Sequence, residues 1–520
     1  MPGVPVSLSH QVHPEPKEFE RTSTTVVNAY VQRVVDRYVD RLVARLGTEG
    51  FDRRLYLMLS NGGTATSDTA RRFPIQLLES GPAAGVEAAG FYARMMGLEH
   101  ALAFDMGGTT AKLCIIEKGR ATRSRSFEVG RVHRFTEGSG IPVALPVYDL
   151  LEIGAGGGSI ARIDDLGLLA VGPQSAGSDP GPICYGQGGT RPTVTDADLA
   201  LGYLNAGYFL GGEMMLDRSA ALAGIESDLA RPMGLQTLEA AAGVHTLVNE
   251  TMASAARMHL TEKGKDAGAM TLIASGGAGP VHAAELARKL GCPRVVIPPF
   301  SGVMSALGLL AAPIAFERTR AARAPLDELD PAGVAEAFAA LEAEAVELLP
   351  GGAVPEVIGT LGMRYSGQDY ALEIEVATWA PGSDPRETWR AAFLEAYARQ
   401  YGKIDYDSPV EVATLTLRAS LPDAPPTIVA PRTGAPGAAK GRREIFLMRD
   451  RVVRDVPVYE RSDLSLGQRI NGPAIVEERE STTVVGPGDL LEVDRHGCLL
   501  LTLETTVGVT VHARTMEVVE

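Results

Sequence analysis

The sequence predicts a mixed α/β protein of two or three domains, and three observations predict it. The chain has 520 residues, and single hydrophobic cores stop growing near about 250–300 residues. From Leu98 to about Phe316, glycine turns alternate with apolar strand-like and helical stretches, the pattern of an α/β domain. Beyond Arg442, short β-branched runs separated by turns such as Gly486-Pro487-Gly488-Asp489 predict a small β-rich module. With 45% apolar and 22% charged residues, the chain belongs with globular rather than disordered sequences.

The elements follow in order. Residues 1–17, rich in Pro, His and Glu, read as an extended lead-in. Ser23 and Thr24 then stand as a polar cap on an amphipathic helix. Its apolar face is expected to hold Val27, Tyr30, Val31, Val34, Val35, Tyr38, Val39, Leu42, Val43 and Leu46, with Gln32, Arg33, Asp36, Arg37, Asp40 and Arg41 on the other side and the end near Gly47. Residues 55–59 read as a strand, and Ser60-Asn61-Gly62-Gly63 as a strand-to-helix turn. An Ala- and Glu-rich helix is expected over 325–349, capped near Asp327 or Asp330 and stopped at Pro350-Gly351-Gly352. Strand-like alternation over 357–376 and 412–421 flanks a helical stretch at 385–401. The Pro/Ala/Gly-rich segment 422–441 reads as a linker or long loop.

Three glycine motifs carry the chemistry. The first is Asp105-Met106-Gly107-Gly108-Thr109-Thr110, set between the apolar stretches 101–104 and 113–116. Small residues in a tight turn let backbone N–H groups approach phosphate oxygens. The hydroxyls of Thr109 and Thr110 add donors, and Asp105 can hold magnesium directly or through water. Lys112 can neutralise phosphate or face solvent, and an ordinary hairpin is the plain alternative for the whole motif. The second is Glu152-Ile153-Gly154-Ala155-Gly156-Gly157-Gly158-Ser159-Ile160. Four glycines in five residues cost backbone entropy, so close approach to a ligand or to another chain segment is expected, with a flexible loop as the alternative. The third is Ser275-Gly276-Gly277-Ala278-Gly279-Pro280, where an apolar strand leads through glycines into a helix. A nucleotide base or ribose can lie over such a backbone. An Asp-x-Gly-Gly-Thr hairpin followed some 170 residues later by strand-Gly-Gly-helix is what the second lobe of an actin-like ATPase requires.

Other chemistries find little support. Neither a Gly-x-Gly-x-x-Gly dinucleotide fingerprint nor a Gly-Lys-Ser/Thr phosphate loop occurs, and Gly-x-Ser-x-Gly is missing as well. Cys114, Cys184, Cys292 and Cys498 are isolated, which suggests neither a zinc knuckle nor a disulfide framework. His245, His259 and His282 share no metal-ligand spacing and read as packed or capping residues. Asp196 and Asp198 read as caps of the apolar helix that follows them, while Asp179 sits in a Gly/Pro-rich loop as a candidate. A net charge of −15 with no long basic run argues against a nucleic-acid surface. Met1-Pro2-Gly3-Val4-Pro5-Val6 is no secretion signal, and the apolar stretch 306–316 is too short to span a bilayer. The chain therefore reads as cytoplasmic, with no membrane partner.

Together these stretches resemble the hydantoinase A/oxoprolinase family, which includes ATP-dependent hydantoinase, 5-oxoprolinase and acetone or acetophenone carboxylase subunits. The resemblance also rests on Glu79-Ser80-Gly81-Pro82-Ala83-Ala84-Gly85-Val86, residues 172–198, Pro298-Pro299-Phe300-Ser301-Gly302, Arg364-Tyr365-Ser366-Gly367-Gln368 and Gly472-Pro473-Ala474-Ile475-Val476-Glu477, and it covers nearly the whole chain. It implies an actin-like (sugar kinase/Hsp70) ATPase fold plus a β-rich C-terminal module, with ATP and Mg2+ as cofactors. By resemblance, Asp105 belongs to the second phosphate loop, which makes it the expected catalytic residue and, as the carboxylate there, the expected metal holder. With it, Gly107, Gly108, Thr109 and Thr110 form the second phosphate loop, and Gly276, Gly277, Ala278 and Gly279 the adenosine loop; Lys112, Gly156, Gly157 and Gly158 remain cofactor-binding candidates from the residues themselves.

The implied activity is phosphorylation of a cyclic amide for ring opening, completed by a hydantoinase B-type partner subunit. A ketone carboxylase subunit and a non-catalytic assembly subunit are the alternatives. Family members usually begin with another Asp-x-Gly-Gly-Thr turn in a domain of roughly 170–190 residues, and this chain is expected to start where that domain ends. A separate N-terminal lobe is then a further expected partner, and without it apolar residues of the helix at 24–46 are expected to lie exposed. The expected division is 1–95 as a remnant of the first lobe, 96–320 as the ATPase-like domain, 321–423 as an α/β region, 424–441 as the linker and 442–520 as the β-rich module.

Overall fold

The computed structural model describes residues 5–15, 17–132, 138–350, 354–368, 370–377, 383–402, 404–421, 426, 428 and 431–504. Much of the expected linker (422–425, 427, 429 and 430), the helix stop at Gly351-Gly352 and the C-terminal residues 505–520 lie outside the described residues. Two compact units emerge, each drawn from three stretches of chain. Residues 1–88, 122–149 and 305–426 form the first, and residues 89–121, 150–304 and 427–520 form the second.

In the first unit, the helix Glu18–Thr48 corrects the expected one in two ways. It starts before Ser23 and Thr24, whose hydroxyls bond back to the carbonyl of Glu20 inside the helix instead of capping it. Its buried stripe is also largely polar, Val39 being the one member of the expected apolar face that is fully buried. Thr24, Asn28 and Gln32, four residues apart, point inward with Val39, whereas Tyr30, Val34 and Tyr38 are exposed, Tyr30 by 84%. The inward stripe serves the backbone of neighbouring segments. Asn28 accepts from the N–H of Ile75 (3.2 Å) and donates to the carbonyl of Arg72 (3.2 Å), while Thr24 accepts from the N–H of Ala144 (3.0 Å). Periodicity alone marks two faces, and here hydrogen-bond demand selects the buried one.

Ser60-Asn61-Gly62-Gly63 is a hairpin turn between strands Tyr56–Met58 and Thr64–Thr66, and the helix Ser67–Arg72 begins only afterwards. A four-stranded antiparallel sheet runs Ala315–Pro325, Val410–Ser420, Glu356–Tyr365, Leu372–Val376. Helices Pro331–Val346, capped by Asp330, and Arg386–Tyr401 close a core that includes Phe316, Leu361, Trp389, Phe393 and Leu417.

The second unit is built on a nine-stranded mixed sheet. At its centre β1 (His100–Met106) pairs antiparallel with β2 (Ala111–Glu117), and β2 pairs antiparallel with β3 (Leu151–Ile153). Helices α1 (Val194–Ala200) and α2 (Thr237–Glu262) follow in sequence. Then β4 (Thr271–Ser275) pairs parallel with β1, leads into α3 (Gly279–Leu290), and pairs on its other side with β5 (Arg294–Ile297). Residues 101–104 of β1 and all five of β4 are buried, as suits central strands covered on both faces. The C-terminal segment splits. Strands Gly441–Leu447, Val452–Glu460, Ala474–Glu478 and Ser481–Val485 form their own sheet, while Leu499–Thr502 adds antiparallel to β5 and extends the large one. Among the described residues, no helix is long and apolar enough to cross a membrane.

Candidate functional site

The site lies in the second unit, where the ends of β1, β3 and β4 bring the three glycine motifs together. Gly107 closes the β1–β2 turn by donating to the Thr110 carbonyl (3.2 Å), and Gly108 and Thr109 stand exposed beyond it. A Cβ added at Gly107 or Gly108 would meet nothing within 4 Å, so the outer side of this turn is open to a ligand.

The second motif lies buried beneath the first. Gly157 and Gly158 donate to the carbonyls of Gly107 (3.0 Å) and Gly108 (2.6 Å). A Cβ on Gly156 would come within 2.7 Å of the backbone of Gly108 and Thr109. Of the two causes expected for this glycine cluster, approach to another chain segment is the one the structure displays. The third motif meets the same turn from the side, with the Ala278 N–H donating to the Met106 carbonyl (3.0 Å). Gly276 takes φ +85°, and a Cβ there would fall 2.3 Å from the Met106 carbonyl and 2.4 Å from Asp105 Oδ1. Gly277 is exposed beside it, while Gly279 is buried at the start of α3.

Strand register sets the charges. Ser275 on β4, Asp105 on β1, Lys112 on β2 and Glu152 on β3 are successive partners across four strands, so their side chains share one face in a single row. Burial pushes the Asp105 carboxyl above its ordinary range, against the pull of Lys112 and of a hydrogen bond from Ser275. Lys112 reaches to 3.9 Å from Glu152, and its side chain is only 18% exposed, so the alternative of a solvent-facing lysine does not hold. The row offers a carboxylate and an ammonium beside an open glycine turn, which is what phosphate oxygens and a divalent cation require. Ser275 and Glu152 stand at the edges of two of the glycine motifs, but only strand pairing gives them a place in the row.

Behind these loops stands a buried polar group that local spacing also concealed. Thr193 caps α1, with Asp196 completing a capping box, so Asp196 holds its expected role. Asp198 does not cap. Its Oδ1 lies 2.7 Å from His245 Nδ1 on α2, and its Oδ2 lies 3.2 Å from His282 Nε2 on α3, the latter off the ideal hydrogen-bond line. The two imidazoles stack at 4.6 Å. Burial pushes the Asp198 carboxyl up, but His282 and His245 outweigh it and hold the carboxyl down at about 2. Burial likewise lowers the His282 pKa, against the attraction of Asp198. Asp179, singled out in sequence, lies in an exposed turn. A cleft of about 50 Å³ lined by Tyr203, His245, Glu285 and Arg288 is too small for a nucleotide.

Comparison with known proteins agrees with this architecture. The hydantoinase/oxoprolinase family profile matches residues 21–318, and the hydantoinase/oxoprolinase C-terminal domain matches residues 330–504. The caprolactamase alpha subunit of Pseudomonas jessenii is 33% identical over 504 residues, covering 95% of this chain and 71% of that protein. The acetophenone carboxylase gamma subunit of Aromatoleum aromaticum is 31% identical over 522 residues, covering 96% and 69%. The crystal structure of the ATP-dependent caprolactamase from Pseudomonas jessenii superposes with a TM-score of 0.79 at 32% identity, covering 96% of this chain and 72% of that one.

Proposed function

Because the chain belongs to the hydantoinase/oxoprolinase family, we propose that it is the ATP-using subunit of a cyclic-amide hydrolase, activating the amide by phosphorylation for ring opening. The observation that carries this reading is the Ser275–Asp105–Lys112–Glu152 row beside the open Gly107-Gly108 turn. Bound ATP with Mg2+ would supply the phosphoryl group that turns a poor amide electrophile into a reactive one. Asp105 would hold the metal, and Lys112, with the backbone and hydroxyls of Gly107, Gly108, Thr109 and Thr110, would neutralise and orient phosphate. Gly156, Gly157 and Gly158 would act from beneath, holding the turn in shape, while Gly276, Gly277, Ala278 and Gly279 would carry the adenosine.

In this reading the second unit supplies one lobe of an actin-like ATPase fold. The division into 1–95, 96–320, 321–423, 424–441 and 442–520, the hydantoinase B-type partner and the cytoplasmic setting belong to the same proposal. A ketone carboxylase subunit is the second reading, favoured by the 31% identity to an acetophenone carboxylase subunit. Both use the same row, and their substrates differ.

The test is calorimetric titration of the full chain with ATP, with and without magnesium, beside an Asp105→Ala variant. Magnesium-dependent binding that disappears in the variant is expected. No binding at millimolar ATP would sink the reading and move a non-catalytic assembly role ahead. With ATP bound, turnover of lactam against ketone plus bicarbonate, in the presence of the B-type subunit, separates the two enzymatic readings.

A further inference from the structure

The Asp198, His245 and His282 side chains have donor atoms within 4.8 Å of one another, a set that could hold a metal ion. Asn249, on α2 one turn beyond His245, argues otherwise. Its Nδ2 donates to the His245 carbonyl at 2.8 Å and lies 3.1 Å from His282 Nδ1. Turning the amide over would set two acceptor oxygens 2.8 Å apart, so the nitrogen belongs where it is. His282 Nδ1 must therefore accept, and the ring's proton sits on Nε2, facing Asp198. A metal on Nε2 would force that proton onto Nδ1, directly against the Asn249 donor. The group is thus a metal-free carboxylate hydrogen-bonded to His245 Nδ1, with the His282 Nε2–H facing its other oxygen at 3.2 Å, off the ideal hydrogen-bond line.

Its connections run to the glycine loops. Thr195 lies three residues before Asp198 on α1, and both its N–H and its hydroxyl donate to the Gly157 carbonyl (2.7 and 2.8 Å). His282 lies in the first turn of α3, immediately after the 276–279 loop. A Cβ on Gly157 would lie 2.7 Å from Thr195 Oγ1 and 3.8 Å from the Ala278 Cβ, so the two loops meet in front of the buried carboxylate. We propose that Asp198, His245, His282 and Asn249 form a metal-free clamp of positioning residues that fixes α1 against α3 and thereby sets the spacing of the two glycine loops around the Asp105 turn. The consequence for ATP rests on the function proposed above, whereas the clamp itself does not.

The test is hydrogen–deuterium exchange by mass spectrometry on the full chain, comparing His282→Leu and His282→Gln with the unmodified protein. Glutamine can donate to Asp198 and accept from Asn249 as this imidazole tautomer does, but it removes the nitrogen ligand a metal site would need. In H282L, exchange in peptides covering 105–110, 153–159 and 274–282 should rise about tenfold or more while 441–485 stays unchanged. In H282Q it should return close to the original rate. Should leucine at 282 fail to fold, Asn249→Ala carries the same loop-specific expectation. Unchanged loops, or an H282Q chain as fast as H282L, would overturn the proposal. So would one equivalent of Co2+ bound with a visible absorption that H282Q abolishes. ATP affinity should weaken about tenfold in H282L and recover in H282Q. If the unmodified chain binds no ATP, the proposed function fails, while the exchange experiment still decides the clamp.

Discussion

Replacing Gly276 by alanine should damage this protein far more than the same change one residue later. Gly276 sits at φ +85°, where a non-glycine residue costs about 1–2 kcal/mol. Its new methyl would also lie 2.3 Å from the Met106 carbonyl and 2.4 Å from Asp105 Oδ1. Neither neighbour can yield easily, because Met106 is the last residue of a central strand and its carbonyl accepts from Ala278. Overpacking of this kind adds about 1–3 kcal/mol, so a loss of about 2–5 kcal/mol is expected. At Gly277 the nearest atom is the Glu480 carbonyl oxygen at 3.4 Å, an ordinary contact, and G277A should stay within about 0.5 kcal/mol of the parent. Equilibrium urea unfolding of both variants, followed by the same probe, reads the difference. Equal stabilities for G276A and G277A would refute the placement of the third motif against the Asp105 turn.

Three further outcomes follow from the same geometry. Burial raises the Asp105 pKa in the folded chain, so its ionised form opposes folding, and stability should fall as pH rises from the ordinary carboxylate range through the raised value. Asp105→Asn should remove that slope and melt no lower than the parent while losing magnesium-dependent ATP binding. A lower melting temperature would contradict it. His282 and Asp198 act in the opposite direction, since both folded pKa values are depressed. Their contribution is complete above about pH 6.5, the His282 part is lost as pH drops below that, and the Asp198 part is lost between the ordinary carboxylate range and about pH 2. A pH series of melting curves should show this acid-side loss flattened in H282Q. On the helix Glu18–Thr48, Asn28→Ala should cost about 1–3 kcal/mol by orphaning the Ile75 N–H, whereas Tyr30→Ser should cost under about 0.5 kcal/mol. The reverse order in urea unfolding would restore the apolar face as the buried one.

Much of the glycine-loop cluster was legible because its signals are local. Asp105, the turn glycines and the strand-Gly-Gly-helix at 271–290 follow from short-range turn chemistry, and the structure places them where their order implied. The long helix was legible as a helix, yet its buried side was not. A 3.6-residue period marks two faces without saying which one meets unpaired backbone, and the N–H groups of Ile75 and Ala144 chose Asn28 and Thr24. Strand pairing was equally hidden. It alone lines up Ser275, Asp105, Lys112 and Glu152 and carries Leu499–Thr502 to the edge of β5, because partners in a sheet come from distant points in the chain. Asp198, His245 and His282 show the same limit most plainly. Separated by 47 and 37 residues along the sequence, they had no spacing to announce them, and their chemistry exists only because three helices converge on one buried carboxylate. The sequence by itself determined the glycine turns and the strands and helix that flank them, since those depend on neighbours within a few bonds. The tertiary structure alone decided which charges share a face, which polar groups are buried and what holds the loops in place, since desolvation and hydrogen-bond partnership are properties of packed surfaces.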